Sequence, residues 1–292
     1  MASLLSLKRR IYAAQNVSKT TRAMQMISAS KLKKAQNSAL SLRIYAEKLI
    51  SLSQSLTDKI DKEKFHPYMK ENSTSQKTLA ITLSPDKGLC GILITNVIKE
   101  FLRLVKSGTF FYITVGKKVE SKIASFGKPQ ILASFPFGNT TPTFDMVYPI
   151  VKIIDEYFMA RKVDSVKILY SQFTNIFTQT PRAETLLPIK IAMERKDKGQ
   201  NLTYLFEPNL DTLLSSLLKH YLEMSLYRYL LESFTSEQAA RMLAMQNATD
   251  NAKDVISELR LEYNKKRQEK ITNEILDITN KGNSKTGSEY LI

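Results

Sequence analysis

Few residues in this chain have the types and spacing that bond-making chemistry requires. The only histidines are His66 and His220, and the only cysteine is Cys90. One cysteine and two scattered histidines form neither the spacing of a zinc site nor a thiol–imidazole nucleophile. Cys90 adjoins an apolar stretch and reads as a small buried residue. His220 reads as a helix-surface or packing histidine, and the adjacent acids Asp155 and Glu156 as a wet helix face. Pro85-Asp86-Lys87-Gly88-Leu89-Cys90-Gly91 lies between a strand pattern and a helical pattern, where a helix N-terminus can hold a phosphate. It is neither a G-x-G-x-x-G fingerprint nor a P-loop ending in Gly-Lys-Ser/Thr, so the reading is a tight strand-to-helix turn. No catalytic, metal or cofactor site is expected.

The chemistry that does stand out is charge. Lys8, Arg9, Arg10, Lys19, Arg22, Lys31, Lys33, Lys34 and Arg43 all precede the first acidic residue, Glu47. Nine bases with no acid among them forgo the i,i+4 ion pairs that support a free-standing helix. Such a face repels itself and is satisfied by an acidic lining. Across 292 residues the net charge is +15. That balance implies an acidic partner, which is nucleic acid, anionic lipid or an acidic protein.

A basic face of this length needs a long helix to carry it, and the sequence offers two. Proline is absent before Pro67 and glycine before Gly88. Leu7, Ile11, Ala14, Thr21, Met24, Ser28, Leu32, Ala35, Ala39 and Leu42 recur near the 3.5-residue spacing of a coiled coil. From Asn209 to Lys281 there is neither proline nor glycine, and Phe234, Met242, Met245, Ala248, Ala252, Val255 and Leu259 form a second stripe. A helix of that length is on the order of 100 Å long, too long for an ordinary domain to surround. The N-terminal stripe is rich in Ala, Ser and Thr, buries little area and is marginal alone. The two chain ends are therefore expected to pair with each other, antiparallel.

Between them the rhythm changes. Thr78–Ser84, Thr109–Val115, Gln130–Phe135 and Ser165–Phe173 read as strands, and Thr185–Ile191 as a fifth. Ile92–Val105, Lys117–Ser125 and Phe144–Arg161 read as helices, and this alternation predicts a mainly parallel sheet. The expected fold is α/β with a long antiparallel coiled coil. Its parts are an N-terminal helix over 1–66, a linker over 67–77, an inserted α/β domain over 78–208, a C-terminal helix over 209–281 and a tail over 282–292. A single cysteine fits a reducing compartment. No run approaches the ~18 apolar residues of a membrane span, and the first residues do not form a signal peptide.

Three blocks resemble one known family. They are Gln15-Asn16 through Lys19 with Thr21-Arg22-Ala23-Met24-Gln25-Met26 and Ser28-Ala29-Ser30-Lys31-Leu32; the turn Gly88-Leu89-Cys90-Gly91; and Ser236-Glu237-Gln238-Ala239-Ala240-Arg241-Met242 continuing to Tyr263-Asn264-Lys265-Lys266-Arg267-Gln268. Together they resemble the gamma subunit of F-type ATP synthases over nearly the whole chain. The resemblance implies a non-catalytic central shaft, its coiled coil inside a ring of alpha and beta subunits and its α/β domain near the membrane c-ring and an epsilon-type subunit. It implies that Met24, Lys19, Arg22 and Lys31 face an acidic beta-subunit loop. Arg267 and Gln268 would hydrogen-bond a beta-subunit loop, where a guanidinium fork and an amide suit a directional, breakable contact. Tyr204 would belong to the foot on the c-ring.

The resemblance further implies no cofactor, no nucleic acid, and a peripheral position on the cytoplasmic face of a bacterial plasma membrane, held there by the complex. Ile92-Leu93 departs from the family pattern, which commonly has a further glycine there. With no transit segment ahead of the first helix, a bacterial origin is expected. Two other classes compete: a basic coiled-coil protein that binds nucleic acid or serves as a scaffold, and an enzyme using the α/β domain for a nucleotide.

Overall fold

The computed structural model describes residues 3–57, 66–70, 75–106, 108–125, 130–189 and 210–286. Helix α1 is Leu4–Thr57, followed by strand β1 (Lys77–Leu83), helix α2 (Leu93–Val105), β2 (Thr109–Val115), α3 (Lys117–Ser125) and β3 (Gln130–Phe135). Helix α4 (Val147–Met159), β4 (Ser165–Phe173), β5 (Gln179–Leu187) and α5 (Leu210–Thr286) complete the chain. Contacts divide it into one unit of Met1–Met26 with Ala244–Ile292 and a second of Ile27–Leu243. The N- and C-terminal helices pair antiparallel, and a mostly parallel sheet lies between them in sequence, in line with the expected fold.

In the second unit the strand order is β3-β2-β1-β4-β5. The β1–β2, β1–β4 and β2–β3 pairings are parallel and β4–β5 is antiparallel. Central β1 reads as a continuous apolar run because both of its faces are covered. Alternate side chains go to opposite layers. Leu79, Ile81 and Leu83 pack with Ile150, Ile154 and Phe158 of α4 and the leucines of α5. Ala80 and Tyr112 pack with Val97 and Phe101 of α2 and Ile123 of α3. Leu42 and Leu49 of α1 meet Met224 and Leu231 of α5, and the Tyr45 hydroxyl and His220 Nε2 lie 2.8 Å apart.

The fifth strand departs from expectation. It occupies Gln179–Leu187 and runs antiparallel, instead of the expected Thr185–Ile191. Pro181 would count against a central strand, but β5 is an edge strand, where a missing amide hydrogen costs no ladder bond. The expected Phe144–Arg161 helix is divided into a 3-10 turn at Phe144–Met146 and α4. Helix α5 runs through Gly282 to Thr286; one glycine costs a helix only about 1 kcal/mol.

In the first unit the seam steps by three and four residues. On α5 it runs through Met245, Thr249, Ala252, Ile256, Leu259, Tyr263 and Lys266, with Ala248 half-buried beside it. On α1 it runs through Leu4, Leu7, Ile11, Ala14, Ser18, Thr21 and Gln25, with Ser6 and Gln15 half-buried beside it. The Thr21 and Thr249 hydroxyls are hydrogen-bonded across it at 2.7 Å. Two residues expected in the stripes lie outside the seam: Val255 is 45% exposed and Met24 is 38% exposed. Both stripes contain heptad-spaced anchors, and the alternative neighbours Ile256 and Gln25 complete the 3.5-residue repeat that keeps a seam facing its partner.

Gly116 closes β2 onto the loop after β1. Its φ is +100°, and a Cβ built there would sit 1.8 Å from the Ser84 carbonyl oxygen. Ser84 also accepts the Val119 amide on its hydroxyl and donates that hydroxyl to the Gly116 carbonyl. Gly116→Ala is expected to lower the melting temperature by roughly 5–10 °C, as a strained φ and a backbone clash in a domain of this size imply. A thermal melt followed by circular dichroism checks this, and an unchanged midpoint would contradict it.

Candidate functional site

Two of the blocks that carry the family resemblance meet in the second unit. Along residues 233–240 every side chain of α5 is buried, and the residues there are small or polar: Ser233, Thr235, Ser236, Glu237, Gln238, Ala239 and Ala240 beside Phe234. Ala240 packs against Cys90 and Leu93, next to the turn at 88–91. Leu89 and Gly91 take the left-handed conformation, with φ of 65° and 57°. The Arg241 guanidinium donates to the Gly88 carbonyl at 3.4 Å and the Lys87 carbonyl at 3.3 Å. It is ion-paired to Glu237 Oε1 at 2.7 Å, one helical turn back.

This turn presents carbonyl oxygens to a cation. A phosphate cradle presents amide hydrogens, so its polarity is the reverse. Burial pushes the Glu237 carboxyl above the usual carboxylate range, against the pull of Arg241. Glu237 Oε2 has no hydrogen-bond partner. Sequence reasoning does not single out this pair beyond its place in the 236–242 block. An acid and a base one turn apart look like a solvated ion pair until the wall around them is seen.

The remaining chemistry-bearing residues are committed to packing. His66 Nδ1 accepts the Tyr68 amide and caps a 3-10 turn. His220 lies against Tyr45 and Phe144 and pairs with Glu223. Asp155, which from sequence reads as part of a wet face, accepts the Tyr68 hydroxyl and pairs with Lys219 at 3.7 Å. Burial raises the Cys90 thiol pKa, which keeps it protonated and unreactive. Among the described residues no group of three or more His, Cys, Asp or Glu is placed to hold a metal.

In the first unit Lys8, Arg9, Arg10, Lys19 and Arg22 are exposed, and none has an ion-pair partner among the described residues. Three acids of α5 in this unit pair within α5 itself, Asp250 with Lys253, Glu262 with Lys266 and Glu274 with Lys270. Met24 lies in the same stretch of α1 as Lys19 and Arg22 and is an exposed apolar side chain. Arg267 and Gln268 are exposed on α5, with no side-chain partner among the described residues, roughly 27 Å beyond Thr249 at 1.5 Å per residue. The sequence-predicted residues of this unit thus fall into two separate exposed groups, one around Met24 and one at Arg267. From Arg267 to Thr279 every side chain is exposed, with Ile271, Ile275 and Ile278 forming an uncovered apolar stripe. Lys31 belongs to the second unit, where its ammonium donates to the Asn139 carbonyl at 2.6 Å. Tyr204 lies outside the described residues.

Comparison with known proteins follows the same lines. The sequence model of a family described as ATP synthase matches residues 3–282. An ATP synthase gamma chain of Dehalococcoides mccartyi is 42% identical over 287 residues, 95% of this chain and 97% of the relative. The gamma chain of Methylacidiphilum infernorum is 36% identical over 290 residues, 96% of this chain and 98% of the relative. A chain of the Euglena gracilis mitochondrial ATP synthase, solved with OSCP, F1 and c-ring, superposes with a TM-score of 0.67 at 16% identity, covering 98% of this chain and 97% of that one. A chain of the Tetrahymena thermophila mitochondrial ATP synthase central stalk and c-ring does so with a TM-score of 0.60 at 24% identity, over 78% of this chain and 99% of that one. At those identities the structural likeness is one of fold, while the family model and the gamma-chain relatives cover almost the full sequence: the chain belongs to the ATP synthase gamma-chain family.

Proposed function

We propose that this chain is the central rotating shaft of an F-type ATP synthase, coupling ion-driven c-ring rotation to conformational change and ATP synthesis in the catalytic beta subunits. It has no catalytic site of its own in this reading. The observation that carries the proposal is the unpaired surface of the first unit: an exposed basic face on α1, and an α5 end whose apolar stripe has no cover among the described residues. Both need a partner, one acidic and one apolar. A ring of subunits around the helix pair supplies both.

The interactions fit a part that must release each partner in turn. Lys19 and Arg22 flank Met24 with charges that attract an acidic loop at a distance without locking it, since exposed pairs contribute only about 0–1 kcal/mol. Lys31 belongs to the same proposed set, in the second unit, already holding one carbonyl of its own chain. Arg267 and Gln268 offer a directional contact to a beta-subunit loop. Tyr204 is proposed for the foot on the c-ring and epsilon-type subunit. The beta subunits are then bistable partners biased by the face they meet. No described helix is long and apolar enough to cross a membrane, and a peripheral place on the cytoplasmic face, held through the complex, belongs to the same proposal.

Two substitutions test the two groups separately. Arg267→Ala is expected to slow ATP hydrolysis by the assembled complex roughly tenfold, as loss of a charge-assisted hydrogen bond implies, with this chain's circular dichroism unchanged. A variant complex running at the parent rate would remove Arg267 from the mechanism. The Lys19→Glu, Arg22→Glu double variant is expected to slow turnover at low salt, with the deficit narrowing at high salt as exposed charges are screened. A deficit independent of salt would show that these side chains act through something other than charge.

A further inference from the structure

Along one face of α5 in the second unit, Leu214, Leu218, Leu222, Leu226 and Leu230 are all buried at a spacing of four. Leucine repeated at that spacing grips the sheet layer without fixing where the helix sits along its own axis. A slip of four residues, about 6 Å along the axis with a rotation of about 40°, puts leucine where leucine was. Hydrophobic burial is non-directional and does not resist such a slip strongly. Directional polar contacts do, and three of them occur close together on α5. The Tyr229 hydroxyl donates to Glu184 Oε2 at 2.5 Å, and the other Glu184 oxygen accepts the Tyr170 hydroxyl at 2.7 Å. The Ser236 hydroxyl donates to the Ser171 carbonyl at 2.8 Å. Arg241 donates to the Gly88 and Lys87 carbonyls.

We propose that Arg241, oriented by Glu237, is the positioning residue that locks the axial register of α5 against the 85–91 turn, with Tyr229 and Ser236 as secondary stops. This rests on the shaft reading above: a shaft passes torque only if its helix cannot creep along the domain that drives it. Glu237 holds the guanidinium in the one orientation that reaches both carbonyls. Among the described residues, the charged groups that face Glu237 besides Arg241 are Asp86 and Lys31. Asp86 is itself fixed, accepting the Lys117 and Gly138 amides. A four-residue slip would carry Arg241 away from both carbonyls and break all three polar stops together.

Cys90, buried against Ala240, reports the register without any added label. Its reaction with an aromatic disulfide reagent follows the opening of that contact. In the full chain, Arg241→Ala is expected to speed labelling by roughly tenfold or more, as a local opening would. Arg241→Lys is expected to restore only part of the protection, since a point charge cannot fork to two carbonyls while holding Glu237. Arg241→Ala alone strands a buried carboxylate, so the Glu237→Ala, Arg241→Ala double variant is the second arm. It removes the stranded charge and is expected to keep the parent helix content while labelling stays fast. Unchanged Cys90 labelling in the folded double variant would overturn the lock. In the assembled complex, the double variant is expected to hydrolyse ATP with fewer ions moved per ATP than the parent. Fast labelling with a parent-like ion-to-ATP ratio would leave the lock standing and overturn its place in torque transfer. Failure of the parent chain to assemble with catalytic subunits would instead sink the shaft reading, and does not touch the labelling result.

Discussion

The structure depends on a seam of small side chains. In the first unit Ala14, Ser18 and Thr21 on α1 and Thr249 and Ala252 on α5 hold much of it, with larger residues at intervals. Small residues let helix backbones approach closely but remove little apolar area from water. Such a pair is stiff along its length and thinly held across it. Lys8, Arg9, Arg10, Lys19 and Arg22 add to the shortfall, because they repel one another and have no ion-pair partner among the described residues. A helix pair that is marginal alone and unpaired in charge is suited to being enclosed, and enclosure adds both missing terms.

The second unit solves a different problem. Its sheet is covered on both faces, and α5 forms part of one cover. Apolar packing supplies the bulk of that attachment, while Tyr229, Ser236 and Arg241 supply its direction. The consequence is that buried polar groups are concentrated on the stretch of α5 where side chains are smallest. Glu237 is the extreme member: a carboxylate walled in, held by a single arginine, with one oxygen unsatisfied. Such a group destabilises the fold relative to an apolar residue of the same shape, and specificity of docking is the offsetting gain.

Much of this architecture is legible in the amino-acid sequence. The absence of proline and glycine foretells two long helices, and flanking turns place β2, β3, β4 and α3 to the residue. The seam is less legible. Heptad anchors such as Met245, Ala252 and Leu259 are correct, but hydrophobicity alone assigns Val255 and Met24 to it, and pairing geometry favours Ile256 and Gln25. β5 escapes pattern reading because edge strands tolerate the polar and proline residues that disqualify a central one. The register contacts are invisible for another reason: Ser236, Glu237 and Arg241 acquire their meaning only from Ser171 and the 87–88 carbonyls, which are distant in sequence. The groups at Met24 and Arg267 owe their reading to family resemblance, and the structure adds that both are exposed.

The most direct measurement is rotation. The chain would be assembled with its catalytic subunits, immobilised through those subunits, and marked with a bead on a cysteine introduced at Lys106, an exposed position just after α2. A driven shaft predicts stepwise, one-directional turning of the bead when ATP is supplied, stopping when ATP is exhausted. A bead that stays still while the same complexes hydrolyse ATP at full rate would contradict it.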